Sequence, residues 1–414
     1  MNQERVTVLV GREGRHLFET IRDPRIAVVS PGDGVETPDL VVLPCGQDRR
    51  FEQLSTMTMP ETLRASVASG ATGVVLDASP EAIPPKPDIN NSLHDVIRKL
   101  GLSSRHCVYV TANWYFEGDY LAYCKSAGID DPVRVLHHDF WVWDSVARLA
   151  EDGERTYEER RSAFRARPAI RRRRFLSLNR TPRPFKIVLL LKLMHDGLWD
   201  AGFISFGGFG QDGKSGKPRP TAEQLTTALP AFADLIRELE PYIDELDRYG
   251  SVLLGLDHHG LKRLNQKLAT EAQDLPEYDE SWFSAVTETE MLARPQRITE
   301  KVLKPLVNFH PMLVFGNPGS LQRVRDYGFA TFDDVVDESY DEETDPRRRF
   351  DMAYAELVRL CRMDDRALSD LEQRTVDRLI FNARWGLTRF PDIYRAQRDT
   401  ALVNEILTSV RGRG

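Results

Sequence analysis

Two runs of short Val-rich segments alternate with helix-compatible stretches, and a strongly charged stretch without strand character parts them. This pattern predicts an α/β protein of two Rossmann-like domains facing a cleft. The length, 414 residues, agrees with the division, since one hydrophobic core rarely serves so long a chain. In the first run the segments RVTVLVG (5–11), RIAVVS (25–30), DLVVLPCG (39–46), TGVVLDA (72–78) and HCVYVTAN (106–113) are apolar on both faces. Parallel strands covered by helices on both sides read this way. Between them, ETLRASVAS and SLHDVIRKLG fit helices, the second closed by Gly101 at a C-cap position. Together they predict an N-terminal domain over residues 1–150.

From residue 151 to 174 charge dominates and Pro168 interrupts any helix, so this stretch reads as a linker ending in Arg171, Arg172, Arg173 and Arg174. Such a run is expected to be a solvated edge or an electropositive rim. The second run starts with FLSLN (175–179), a turn TPRPF, the helix-like KIVLLLKLMHDG ended by Gly197, and the strand-like GFISFGG (202–208). A Gly/Lys loop follows, GGFGQDGKSGKPRP, whose glycine spacing fits neither a dinucleotide fingerprint nor a P-loop. Residues 221–248 read as long helix interrupted by Pro230 and Pro241. SWFSAVTET (281–289), ITEKVLKPLVNF (298–309) and PMLVFGN (311–317) return to strand–helix–strand logic, and helix dominates after Asp351. A second domain is therefore expected over 175–390, with a C-terminal helix over 391–414.

Composition narrows the class. Hydrophobic residues make up 41% and charged residues 29%, a globular balance. The longest apolar run, 187–194, falls short of the roughly 18 to 20 residues that span a bilayer, and it carries Lys192. The N-terminus passes from polar residues straight into a strand-like run without a signal-peptide pattern, and Cys45, Cys107, Cys124 and Cys361 show no CxxC spacing. A cytoplasmic protein with reduced thiols is the expectation. The formal charge of -7 disfavours a duplex-DNA binder.

One segment carries more chemistry than the rest. ITEK opens a helix with Thr299 as its N-cap, so backbone N–H groups and Lys301 stand together at a helix start, where an anion is stabilised. Capping alone explains the same pattern. The pair of motifs ITEK and PMLVFGNPG (311–319), with FLSLNRTPRPFKIVLLLKL before them, resembles the donor-binding domain of the alpha-1,3-fucosyltransferases. It also resembles uncharacterised bacterial and viral proteins with FLxLNRxPRxHR, TEKxxKP and GFxTFxxxxDESYD patterns, read as GT-B-type glycosyltransferases. The resemblance covers 175–341. It departs at Phe185 and Lys186, where the pattern has His-Arg, and the DESYD segment is foreign to the fucosyltransferases, so it does not imply fucose.

The resemblance implies that Glu300 binds the donor ribose and Lys301 the diphosphate, with Thr299 at the same helix start. Arg180 or Arg183 would be the second cation and Lys304 a third. It further implies transfer from a GDP- or UDP-linked sugar, as co-substrate without other cofactor, to a hydroxyl acceptor held by the N-terminal domain. With no DxD motif in a strand-end context, a metal-independent, inverting reaction is expected, in which cations stabilise the departing nucleoside diphosphate. Inversion requires a base for the acceptor hydroxyl. Glu117 and Asp119 follow the fifth strand, and His137, His138 and Asp139 follow the next, where cleft loops emerge. Glu117 and His138 are assigned the role. The Asp257-His258-His259 triplet lacks a third ligand at metal spacing. Asp337 to Asp341 are expected to be anchored by Arg347, Arg348 and Arg349. Two other functions fit the same motifs, a phage-type DNA base glycosyltransferase, with nucleic acid only as acceptor, and a non-catalytic nucleotide-sugar-binding protein.

Overall fold

The structure, a computed structural model, describes residues 5–10, 16–21, 23–45, 60–80, 87–149, 152–210, 217–252, 275–291 and 297–411. The chain divides into two compact units, one of Met1–Glu151, Arg294–Arg297 and Phe390–Gly414, the other of Asp152–Ala293 and Ile298–Arg389.

In the first unit, strands β1 (Val6–Val10), β2 (Ile26–Val29), β3 (Leu40–Pro44), β4 (Gly73–Ala78), β5 (Cys107–Thr111) and β6 (Arg134–His137) form one parallel sheet in the order β2-β1-β3-β4-β5-β6. Helices α1 (Glu61–Ala68), α2 (Pro87–Lys99), α3 (Phe116–Ala127) and α4 (Phe140–Leu149) connect or flank the strands. The two-faced apolar strands have a direct cause. Val41, Leu43, Val74, Leu76 and Tyr109 point into a core with Leu63, Val67, Val96 and Phe116. Their neighbours Val42, Val75, Val108 and Val110 point into a second core on the opposite face. That second core is completed by Leu402, Val403, Ile406 and Val410 from the last helix of the chain, Phe390–Arg411. Gly73 permits the approach, because a Cβ there would lie 2.5 Å from the Val410 side chain.

In the second unit β7 (Arg173–Asn179), β8 (Gly202–Phe206), β9 (Ser281–Thr287) and β10 (Met312–Phe315) form a parallel sheet in the order β10-β9-β7-β8. Its helices are α5 (Gly153–Arg165), α6 (Pro184–His195), α7 (Ala222–Ala228), α8 (Ala233–Leu239), α9 (Ile243–Tyr249), α10 (Glu300–Val307), α11 (Ser320–Asp326), α12 (Pro346–Arg362) and α13 (Asp365–Arg384), and α14 is the Phe390–Arg411 helix of the first unit. The stretch expected to be one long helix over 221–248 is cut into α7, α8 and α9, with Pro230 and Pro241 inside the intervening 3-10 turns. Their missing N–H groups cost nothing at such starts.

The linker expectation is corrected. Within 151–174, α5 occupies Gly153–Arg165 with Tyr157 buried, and Arg173 and Arg174 belong to β7. The arginine run is not a free electropositive rim. Arg171 is buried, donates to the Ser281 carbonyl at 2.8 Å and to Glu372 at 2.7 Å, and lies over the Trp282 ring. Arg172 pairs with Glu280 at 2.7 Å, and Arg174 pairs with Asp365. A charged run far from its acidic partners in sequence looks solvated until the fold brings them together.

The DESYD segment is anchored, but by different partners from those expected. Asp341 accepts from the N–H groups of Leu321 and Gln322 at the start of α11, and Glu338 accepts from the Phe332 N–H at 2.6 Å and from Arg325 at 3.2 Å. The Tyr340 hydroxyl, buried, receives the Val314 N–H. Of the three arginines, Arg348 pairs with the Glu343 carboxylate at 3.0 Å, Arg349 donates to the Glu343 carbonyl at 2.7 Å, and Arg347 pairs with Asp351 instead. All four cysteines are free. Among the described residues no helix is long and apolar enough to cross a membrane.

Candidate functional site

The carboxyl ends of β7, β9 and β10 in the second unit gather polar side chains that the apolar strands beneath them cannot. The Thr287 hydroxyl donates to Asn179 Oδ1 at 2.6 Å, and Asn179 Nδ2 donates to Ser177 Oγ at 2.9 Å. These bonds tie the end of β9 to the end of β7. Beyond β7 the NRTPRP turn leads into α6, with Arg183 at the N-cap position and Pro184 beginning the helix. Gly207 is required beside this turn, since a Cβ there would collide with the Arg180 carbonyl.

Beyond β9 comes Glu288, 1% exposed. Its carboxylate accepts the Thr299 N–H at 3.0 Å, the Thr299 hydroxyl at 2.7 Å and the Thr289 N–H at 3.2 Å. Thr299 caps α10, its Oγ1 accepting from the Lys301 N–H at 3.4 Å. The Lys301 ammonium reaches Thr299 Oγ1 at 3.0 Å, Thr289 Oγ1 at 3.3 Å and Glu300 Oε1 at 3.3 Å, and is a quarter exposed. The structure thus brings Thr299, Glu300 and Lys301 together on the start of α10, with Glu288 beneath them and Lys304 one turn further along the helix, where its charge acts on Glu300.

The electrostatics are those of a crowded cationic site. Burial works to raise the Glu300 carboxyl, but the Lys301 and Lys304 charges outweigh it and hold Glu300 below the ordinary carboxylate range. Lys304 is pushed down by its own burial, which the Glu300 charge only partly offsets. Arg183 lies in an ion pair with Glu290 at 3.0 Å. Arg180 is exposed, and among the described residues its side chain has no hydrogen bond or ion pair.

Two residues in this group escape the sequence reading. Glu288 follows an apolar strand and matched no motif. Lys186 is 3% exposed on the first turns of α6, in the field of Lys301, Glu288, Arg183 and Glu300. Burial, reinforced by the Lys301 charge and opposed by Glu288, drives its pKa down to about 7. The available signal was a lysine opening a helix whose following residues are apolar all round, which no solvated lysine would choose.

The two assigned bases are placed differently in the first unit. Glu117 stands in the first turn of α3, exposed, 3.4 Å from Arg134. His138, the other assigned base, is 1% exposed, with Nε2 2.8 Å from Thr20 Oγ1. His137 stacks on Trp114 and contacts Asp139 at 3.3 Å, and Asp139 is itself buried. His137 ends β6 half-buried, and His138 is buried where the chain turns directly into α4. Nearby in the chain fold, Asp77 ends β4 fully buried, accepting from the Leu17 N–H at 2.6 Å and the Ser79 N–H at 2.9 Å, and burial pushes its carboxyl up to about 6. Asp257, His258 and His259 lie outside the described residues, as do residues 211–216 of the Gly/Lys loop. Among the described residues no group of three or more His, Cys, Asp or Glu side chains is placed to hold a metal ion.

No family model matches the chain, and no curated protein matches it. Among solved structures it is similar to an alpha,alpha-trehalose 6-phosphate synthase from Burkholderia multivorans, with a TM-score of 0.40 and 11% identity, over 97% of this chain and 100% of that one.

Proposed function

We propose that the protein is a glycosyltransferase that moves a sugar from a nucleotide-diphosphate donor, GDP- or UDP-linked, to a hydroxyl acceptor on a glycan or small molecule, without a metal and with inversion. The observation that carries this reading is the buried Lys186, repelled by the Lys301 charge, beside the capped, lysine-bearing start of α10. Cations crowded at a sheet's carboxyl edge and a helix N-terminus, only partly offset by Glu288 and Glu300, are what a diphosphate stabilises. The motif resemblance supplies the nucleotide sugar. In the proposed mechanism Lys301, the most accessible buried-site cation, and Lys186 face the diphosphate. They gain most as negative charge grows on the departing phosphate oxygen, so they lower the barrier more than they tighten ground-state binding. Glu300, held ionised by two lysines, accepts hydrogen bonds from ribose hydroxyls. Glu117, the solvent-exposed candidate, is retained as the base for the acceptor proton.

The test is a thermal-shift screen with GDP, UDP, CMP-linked and dTDP-linked nucleotides, followed by calorimetry of the best ligand. Lys301→Ala should weaken nucleoside diphosphate binding about tenfold to a hundredfold, the usual worth of a hydrogen bond to a charged group. Unchanged affinity would reduce the motif to a capped helix start and remove the proposal's support.

A further inference from the structure

The turn that follows β10 holds a side chain with no structural use. Asn317 is 1% exposed, and both its carboxamide atoms, Oδ1 and Nδ2, are buried without a hydrogen-bond partner. Buried amides are almost always satisfied, so an amide orphaned at both ends calls for an explanation. The turn around it is fixed from several sides. The Asn317 carbonyl accepts from Ser320 N at 3.2 Å and Ser320 Oγ at 2.7 Å, the Gly316 carbonyl accepts from Arg349 at 3.0 Å, and the Gly319 N–H donates to the Asp341 carbonyl at 2.7 Å. The amide is therefore held in place by neighbours that do not themselves bond it.

Strand register says what it is held beside. Phe315, the last residue of β10, pairs with Thr287, the last of β9, and the Glu288 N–H donates to the Phe315 carbonyl at 2.9 Å, so the turn that holds Asn317 leaves its strand beside the Glu288 turn, whose Thr289 hydroxyl receives Lys301. A Cβ on Gly316 would lie 3.4 Å from Glu288 Cγ, which shows how closely the two turns approach. The chemistry of the amide then selects the ligand group. A phosphate oxygen satisfies only the NH2, leaving Oδ1 unpaired. A pair of neighbouring hydroxyls donates to Oδ1 and accepts from Nδ2, satisfying both.

We infer that Asn317 is a specificity-determining residue that reads a vicinal hydroxyl pair of the nucleotide sugar bound at Lys301. The inference rests on the proposed donor site, and it names a recognition element within it. The hydroxyls belong either to the ribose or to the transferred sugar, and the experiment separates them.

Asn317→Leu, close in volume and unable to hydrogen-bond, is compared with the unmodified protein in two measurements. In the first, thermal unfolding without ligand, the variant should be as stable as the parent or more stable, because an orphaned amide contributes nothing to the empty protein. A clear loss of Tm would mean that Asn317 has structural partners, and would overturn the inference. In the second, calorimetry with UDP, 2'-deoxy-UDP and UDP-glucose, and with GDP and GDP-mannose, affinity should fall about tenfold. A loss confined to the sugar-bearing ligands assigns the transferred sugar, and a loss shared by UDP and GDP but absent with 2'-deoxy-UDP assigns the ribose. Equal affinity for every ligand would overturn the inference while leaving the donor site standing. If the unmodified protein binds none of these nucleotides, the donor-site reading falls and Asn317 falls with it.

Discussion

A single lysine shows how the second unit is set up for an anion. Lys186 has an ordinary value of 10.5 and titrates near 7 when folded, because burial strips its solvation and Lys301 repels its charge. Between about pH 7 and pH 10.5 the unfolded chain binds a proton that the folded chain does not, so this residue makes stability rise with pH across that window. Lys186→Met should therefore stabilise the empty protein most below pH 7, with the advantage fading toward pH 10.5, as urea titrations at a series of pH values would show. The same substitution should abolish a second effect. A diphosphate beside Lys186 favours its charged form, so nucleotide binding near pH 8 should take up a proton, visible as a buffer-dependent binding enthalpy. Parent and variant giving the same buffer dependence would show that Lys186 does not face the ligand.

At the scale of elements, the exits of β9 and β10 are held by an arginine rather than by the strands alone. Arg349, on the first turn of α12 and 1% exposed, donates to the carbonyls of Gly316 at 3.0 Å and Glu343 at 2.7 Å, and to that of Met291. Burial lowers its pKa to about 10, so it remains a cation at neutral pH. A planar guanidinium reaches three diverging carbonyls in a way that a point-charge ammonium cannot. Arg349→Met should cost about 3 kcal/mol or more in a urea unfolding experiment, since each buried carbonyl left unpaired costs about 1–3 kcal/mol. Arg349→Lys should recover only part of the loss. The contrast with Asn317→Leu, for which no loss is expected, separates a residue that builds the turn from one that the turn merely presents.

At the scale of the whole molecule, the first and last parts of the chain share one unit. Leu402, Val403, Ile406 and Val410 of α14 are buried in the core that covers β1, β3, β4 and β5. Burying a side chain of this kind contributes about 1.5–3 kcal/mol, and four of them approach the whole stability of an ordinary domain, about 5–15 kcal/mol. A chain ending at Arg389 should therefore lose the cooperative unfolding of the first unit, while α14 supplied as a separate peptide should partly restore it. Calorimetry that showed both units intact in the truncated chain would contradict this packing argument.

The alternation of Val-rich strands with helices was legible because a strand covered on both faces must be apolar at every position, and that signature is local. So was the start of α10, where Thr299 announces its own cap and places Glu300 and Lys301 on one helix end, with Lys304 a turn further on. Partners remote in sequence were not legible. The arginines of 171–174 looked solvated because Glu280, Glu372 and Asp365 lie more than a hundred residues away, and α14 carries no mark of the sheet it covers. His138 read as a loop residue, because a histidine's burial depends on what packs over it. The burial of Lys186 and Asn317 was hidden for a related reason: a lysine at a helix start and an asparagine in a turn are ordinary in sequence, and only the packing shows that Lys186 is buried beside Lys301 and that the Asn317 amide has no partner among the described residues. Local pattern determined the strands, the helix starts and the α/β class; tertiary packing alone decided which polar groups were left uncompensated, because that is set by what surrounds a side chain rather than by its neighbours along the chain.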